Sequence, residues 1–135
     1  MPFQIDHLGI AVESIDDALS FYCDQLGMEV AHRETVPVEK VHVAMLPAGN
    51  DSSGPRIELL QGSDADSAIT RFIEKRGPGL HHVALKVDDL HETVTRLRSA
   101  GAHLLNEPRQ GAGGHLYVFV HPKSTGGVLL ELIQA

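Results

Sequence analysis

Two histidines and two glutamates recur at matching places in the two halves of this 135-residue chain. His7 lies in the segment IDHLGIAV and His82 in LHHVALKV, 75 residues later. Glu58 lies in RIELL and Glu131 in VLLEL, 73 residues later. Imidazole and carboxylate groups suit divalent first-row metals such as cobalt, manganese, nickel and zinc. The repeat therefore predicts one metal site built from both halves, with His7, Glu58, His82 and Glu131 as its ligands.

The donor set indicates a catalytic metal rather than a structural one. Structural zinc sites usually contain cysteine thiolates, and the single cysteine, Cys23, lies in a helical pattern where we expect it to pack. Four protein ligands leave up to two positions on an octahedral ion for a substrate with two oxygens. A cation there can stabilise negative charge on oxygen. It would also offset the cost of burying two carboxylates and two imidazoles.

Apolar periodicity predicts the elements that position these ligands. Residues 5–12 and 80–87 alternate between apolar and small or polar side chains, which is typical of β-strands. His7 and His82 lie opposite the apolar faces of these strands. Further strands are predicted at 28–33, 41–46, 56–61, 102–105, 116–120 and 128–133, and helices at 14–26, 63–76 and 88–100.

The order of these elements, β-α-β-β-β, occurs twice. We predict an α+β fold in a single domain, 1–135, made of two tandem βαβββ modules at about 3–62 and 79–135. A connecting helix at about 63–76 joins them. The strands are expected to form a curled mixed β-sheet around a metal-binding cavity, with the helices on the outside.

Composition excludes several classes of partner. A net charge of −7 argues against nucleic acid and anionic membranes, so an anionic ligand must be attracted by local charge. No apolar run approaches the roughly 20 residues of a membrane span. The opening MPFQIDH lacks the basic and apolar regions of a signal peptide. With a lone cysteine, these features predict a cytoplasmic protein.

The same residues resemble the vicinal oxygen chelate superfamily, which includes glyoxalase I, extradiol dioxygenases and the methylmalonyl-CoA epimerases. IDHLGIAV followed by DDALSFYCDQLGM is generic to the superfamily. GLHHVALKVDDL, GAGG and HPKSTGGVLLEL are similar to the epimerases in particular. The resemblance implies a homodimeric enzyme with a divalent metal, Co²⁺ first among the candidates, that interconverts (R)- and (S)-methylmalonyl-CoA. It places the metal ligands at His7, Glu58, His82 and Glu131.

The resemblance also implies a mechanism. A proton leaves C2 of the substrate, a metal-stabilised enolate forms, and a proton returns to the opposite face. Glu131 is the first candidate base, and Glu58, from the other half, is the second. Val43 stands where one bacterial member of the family has a glutamate. The candidate contacts for the acyl-CoA substrate are His115, Lys123 and Ser124.

Two other functions remain open at this point. A glyoxalase I-like lyase would use the same ligand types on a thiol hemithioacetal, but it would need a glutathione pocket that the sequence does not reveal. A non-catalytic binding or resistance protein of the same fold would have no reason to keep four ligand candidates. Five further histidines are interpreted as structural or surface residues: His32, His42, His81, His91 and His103.

Overall fold

The computed structural model describes residues 3–51 and 53–135. Met1 and Pro2, at the start of the predicted domain, and Ser52, in its first module, lie outside the described residues. Helices and strands are both present, in agreement with the α+β prediction. Within the described part of the chain, no helix is both long enough and apolar enough to cross a membrane.

The secondary structure follows the twofold pattern of the sequence. In chain order, the elements are β1 Gln4–Ala11, α1 Ile15–Leu19 continuing as a π-helix over Ser20–Gln25, β2 His32–Val36, β3 Val41–Pro47, β4 Arg56–Gly62, α2 Ala68–Arg76, β5 Gly79–Val87, α3 Leu90–Ser99, β6 Arg109–Gln110, a 3₁₀ turn Ala112–Gly114, β7 Leu116–Val120, α4 Pro122–Thr125 and β8 Leu130–Gln134.

The chain divides into two compact units. The N-terminal unit is His7–His81, and its strands have the order β2-β3-β4-β1. In it, β1 runs parallel to β4 and the other pairs are antiparallel. The C-terminal unit is His82–Ala135 together with the residues up to Asp6, and its strands have the order β5-β8-β7-β6. Here β5 runs parallel to β8, and the other pairs are again antiparallel.

Each unit has its own apolar core on one face of its strands. In the N-terminal unit, α1 contributes Ile15, which is fully buried against β3 and β4. In the C-terminal unit, α3 contributes Leu90 and Val94 against β5, β7 and β8. Each such side chain stabilises its unit by about 1.5–3 kcal/mol on burial. Because strand side chains alternate, the opposite face of each sheet carries a different set of residues.

A glutamine at the end of the last strand anchors the helix start in each unit. Gln61 Oε1 accepts a hydrogen bond from the N–H of Ile15 at 2.8 Å. Gln134 Oε1 accepts one from the N–H of Leu90, also at 2.8 Å. The first N–H groups of a helix have no acceptor within the helix, so a side chain from elsewhere can satisfy them. These bonds fix each helix to the strand that also carries a candidate ligand.

Two predicted strands are wrong. The segment 28–33 is extended into a strand only from His32, and its apolar residues Met28 and Val30 instead pack against the N-terminal core. The segment 102–105 makes only an isolated bridge, Leu104 to Val120. The strand that pairs with β7 comes later, at Arg109–Gln110. Apolar alternation reports burial, and in both segments burial occurs without a strand ladder.

The glutamine anchors generate a stability prediction. Gln134→Leu should lower the free energy of unfolding by about 1–3 kcal/mol, because a part-buried N–H loses its acceptor. Urea denaturation followed by circular dichroism measures the change. Gln25→Leu, at an exposed site, serves as the control. Equal stability of the two variants would show that the anchor contributes nothing.

Candidate metal-binding and active site

In the N-terminal unit, a histidine and a glutamate meet on the face of the sheet opposite the core. Glu58 of β4 stands opposite Gly9 of β1, and His7 lies two residues before Gly9 on the same face. His7 Nε2 is 3.3 Å from Glu58 Oε1. His7 is 1% exposed and Glu58 is 4% exposed.

The C-terminal unit repeats this arrangement. Glu131 of β8 stands opposite Ala84 of β5, and His82 lies two residues before Ala84. His82 Nε2 is 3.0 Å from Glu131 Oε1. His82 is 4% exposed and Glu131 is 8% exposed. The register offset is the same in both units, so the four predicted ligands form two equivalent His–Glu pairs.

The geometry of each pair fits ligation of a cation. Two ligand atoms at right angles on an ion with bonds of about 2.1 Å lie about 3 Å apart. The nitrogen-to-oxygen distances of 3.3 Å and 3.0 Å are close to that spacing. Imidazole nitrogen and carboxylate oxygen are also the donor types that first-row divalent metals accept. The residues present therefore fit a metal of this class.

Apolar residues surround the two pairs on the same faces. Phe119 of β7 stands opposite Glu131, and its ring packs edge to face on His82 with centroids 5.5 Å apart. Met45 of β3 stands opposite Glu58. Val43, two residues before Met45, is 2% exposed and offers no titratable group at this position. An apolar lining of this kind reduces access of water and strengthens electrostatic interactions.

Two charged residues that the sequence pattern did not single out lie on these faces. Glu34 of β2 stands opposite Val43, and its Oε1 lies 2.8 Å from Nε2 of His32. Arg109 of β6 stands opposite Tyr117 of β7. The strands that carry Glu34 and Arg109 are the two that were misassigned from the sequence. The strand register of each unit is what places Glu34 and Arg109 on the same face as the His–Glu pairs.

The residues predicted to contact substrate lie in the C-terminal unit. Lys123 and Ser124 are exposed on the short helix α4, and His115 is exposed after the 3₁₀ turn. The hydroxyl of Ser124 accepts a hydrogen bond from the N–H of His103 at 2.9 Å. The ring of His121 stacks on His103 with centroids 4.7 Å apart. Ser124 therefore has a structural role in holding these two segments together.

Two other histidines make contacts consistent with a structural interpretation. The ring of His81 packs edge to face on Phe72 of α2, with centroids 4.9 Å apart. His42 Nδ1 forms a 2.8 Å hydrogen bond with Thr35 Oγ1 on the neighbouring strand. The four residues of these two contacts all lie within the unit His7–His81.

Comparison with known families decides where the chain belongs. Residues 6–119 match the model of the Glyoxalase/Bleomycin resistance protein/Dioxygenase superfamily. The chain belongs to this superfamily. The match covers most of both modules, and the predicted superfamily resemblance is confirmed.

Individual relatives cover almost the whole chain. Uncharacterized protein YqjC of Bacillus subtilis is 43% identical over 97% of this chain and 91% of its own length. The mitochondrial methylmalonyl-CoA epimerase of Mus musculus is 37% identical over 98% of this chain and 73% of its own. The structure of a Streptomyces coelicolor methylmalonyl-CoA epimerase variant with 2-nitronate-propionyl-CoA has a TM-score of 0.92 and 36% identity, covering 98% and 96% of the two chains. The predicted α+β fold with a mixed sheet is confirmed.

The buried pairs generate a second prediction. The double variant His7→Leu/Glu58→Leu should leave the free energy of unfolding of the metal-free protein unchanged or raise it by about 1 kcal/mol, because apolar groups replace a buried ionisable pair. The single variant Glu58→Leu should lower it by about 1–3 kcal/mol, because the His7 ring loses a partner. Urea denaturation in EDTA measures both. A double variant clearly less stable than the wild type would mean that the pair itself contributes to stability.

Proposed function

We propose that this protein is a metal-dependent methylmalonyl-CoA epimerase, which interconverts (R)- and (S)-methylmalonyl-CoA. The observation that carries the proposal is the presence of two buried His–Glu pairs at equivalent positions in a member of the superfamily. The substrate class is supported by the identity of 37% to the mouse epimerase over 98% of this chain. The Streptomyces coelicolor structure, with an acyl-CoA analogue, supports the same class.

We propose that both pairs bind one divalent cation, with Co²⁺ the first candidate and Mn²⁺, Ni²⁺ and Zn²⁺ the others. His7, Glu58 and His82 supply a buried His-carboxylate-His set, and Glu131 completes the proposed ligands. When bound, such a cation supplies positive charge that stabilises negative charge developing on substrate oxygens.

The proposed chemistry is a proton transfer at C2, which lies between a thioester carbonyl and a carboxylate. Glu131 takes the proton as the C–H bond breaks, and the electron pair passes into the enolate. A second group returns a proton to the opposite face, and Glu58 is the proposed group. The nitronate of the Streptomyces coelicolor ligand supports this step, since a nitronate is planar and anionic as an enolate is.

The surroundings of the pairs suit this reaction. The buried side chains of Val43 and Met45 and the half-buried ring of Phe119 flank the carboxylates and would limit access of water to a reactive enolate. Lys123, with Ser124 and His115, is proposed to contact the CoA portion, because an exposed ammonium attracts phosphate. A homodimer is proposed from the family resemblance. A cytoplasmic location is proposed from the single cysteine, Cys23, because a lone cysteine agrees with a reducing compartment.

Hydrogen exchange tests the proposed activity. Methylmalonyl-CoA in heavy water should gain deuterium at C2 and approach an equal mixture of epimers with Co²⁺-loaded protein, but not with metal-stripped protein. Glu131→Ala should slow the reaction by about 10²–10⁴-fold, because it removes the proposed proton-transfer group. Nuclear magnetic resonance and chiral analysis of the thioester measure both changes.

Glu92→Ala, on the exposed face of α3, is the matched control and should exchange at the wild-type rate. No exchange with any divalent metal would overturn the proposal. Conversion of a thiol hemithioacetal instead would identify a lyase of the glyoxalase I kind. Tight binding of substrate without turnover would identify a binding protein.

Metal titration tests the ligands without reference to activity. Calorimetric titration of stripped protein with Co²⁺ should show one ion bound per chain, with affinity falling as pH falls, because protonated imidazoles cannot bind a cation. His82→Asn should weaken binding by about tenfold or more, which corresponds to about 1.4 kcal/mol. His91→Asn, at an exposed site on α3, should bind as the wild type does. Unchanged affinity in His82→Asn would remove His82 from the ligand set.

A further inference from the structure

Charge distinguishes two otherwise equivalent positions at the edges of the two units. Glu58 and Glu131 are followed two residues later by Leu60 and Ile133, which stand opposite Val43 and Tyr117 respectively. The next strand outward places Glu34 opposite Val43 in one unit and Arg109 opposite Tyr117 in the other. A carboxylate in the N-terminal unit therefore corresponds to a guanidinium in the C-terminal unit.

Arg109 is held on the face that also carries Glu131. Its Nε donates a hydrogen bond to Tyr117 Oη at 3.0 Å, and its Cζ lies 5.8 Å from the centre of the Tyr117 ring. Tyr117 and Phe119 alternate on one face of β7, and Phe119 stands opposite Glu131.

Tyr117 is itself firmly placed. It is 3% exposed, and its ring packs edge to face on Phe119 with centroids 5.6 Å apart. Gly111 lies so close that a Cβ there would stand 2.8 Å from Cε1 of the Tyr117 ring. A guanidinium held by a fixed partner loses little freedom when it binds a ligand, which favours affinity.

We infer that Arg109 binds an anionic group of the acyl-CoA substrate and that Tyr117 positions its guanidinium. The inference rests on the proposed function and extends it to a specificity-determining residue. The net charge of −7 repels an anionic thioester at a distance, so recognition requires a fixed local cation. Arginine suits this role because its planar donors match carboxylate and phosphate oxygens.

Steady-state kinetics of the Co²⁺-loaded protein tests the inference. Arg109→Met should raise KM for methylmalonyl-CoA by about 10- to 100-fold, the loss expected for a hydrogen-bonded charged group, with a much smaller change in kcat. Arg109→Lys should recover part of the loss, because it keeps the charge without the planar donors. Tyr117→Phe should raise KM less than Arg109→Met, because it frees the guanidinium without removing it.

Calorimetric binding distinguishes the two anionic groups that the substrate offers. If Arg109 binds the acyl carboxylate, Arg109→Met lowers the affinity for methylmalonyl-CoA. The affinity for propionyl-CoA, which lacks that carboxylate, stays unchanged. If Arg109 binds a phosphate of CoA, the affinities for both thioesters and for free CoA fall together. Arg98→Met removes an exposed arginine that pairs with Glu107 and should change none of these affinities.

The outcomes separate this inference from the function on which it rests. A wild type that epimerises, beside an Arg109→Met variant whose KM and affinities stay within about twofold, a difference under 0.5 kcal/mol, would overturn the role of Arg109 alone. A wild type that neither epimerises nor binds the thioester would overturn the proposed function and this role with it. Melting temperatures of all variants confirm that folded proteins are compared.

Discussion

Each unit buries ionisable side chains, and its strands must be arranged so that these side chains have partners. Burial of a carboxylate or an imidazole is costly unless a partner lies within bonding distance. Each unit meets this condition in the same way, with a histidine nitrogen and a glutamate oxygen about one ligand spacing apart. The helices and their apolar contacts occupy the opposite face, so packing and chemistry use separate sides of the same strands.

Each unit places its candidate site residues with the same few strands. A parallel pair of strands places the histidine and the glutamate, an antiparallel neighbour adds an apolar residue beside the glutamate, and an edge strand adds a charged one. The C-terminal unit repeats this order strand by strand. Because the backbone plan is shared, the units differ in the side chains at equivalent places, and specificity arises from those differences.

Much of this plan could be predicted from spacing alone. The separation of His7 from His82 and of Glu58 from Glu131 revealed the repeat, and strand alternation placed both histidines opposite the apolar face. The start of the first helix could also be predicted, because Ser14 accepts a hydrogen bond from the N–H of Asp17 as an N-cap does. The second helix begins at Ala68, five residues later than predicted. Repeat spacing, strand alternation and helix capping can all be identified directly from the order of residues.

The edge strands could not be predicted in the same way. Near Met28 the apolar pattern reflects packing under a helix, and near Leu104 it reflects a single bridge. An edge strand has one neighbour, so its position depends on pairing that the local sequence does not encode. Arg109 lies on a two-residue strand and looks like any surface arginine until its partner on β7 is known.

The strands β4 and β8 end in closely similar sequences, Glu-Leu-Leu-Gln and Glu-Leu-Ile-Gln. The glutamate and the glutamine are three residues apart, so they point to opposite faces, and each makes its own long-range contact there. A slip of either strand by one residue would turn both side chains to the wrong face together. In each strand the glutamate and the glutamine therefore specify the register together, so the tetrapeptide that carries a candidate ligand also disfavours a shifted pairing of its strand.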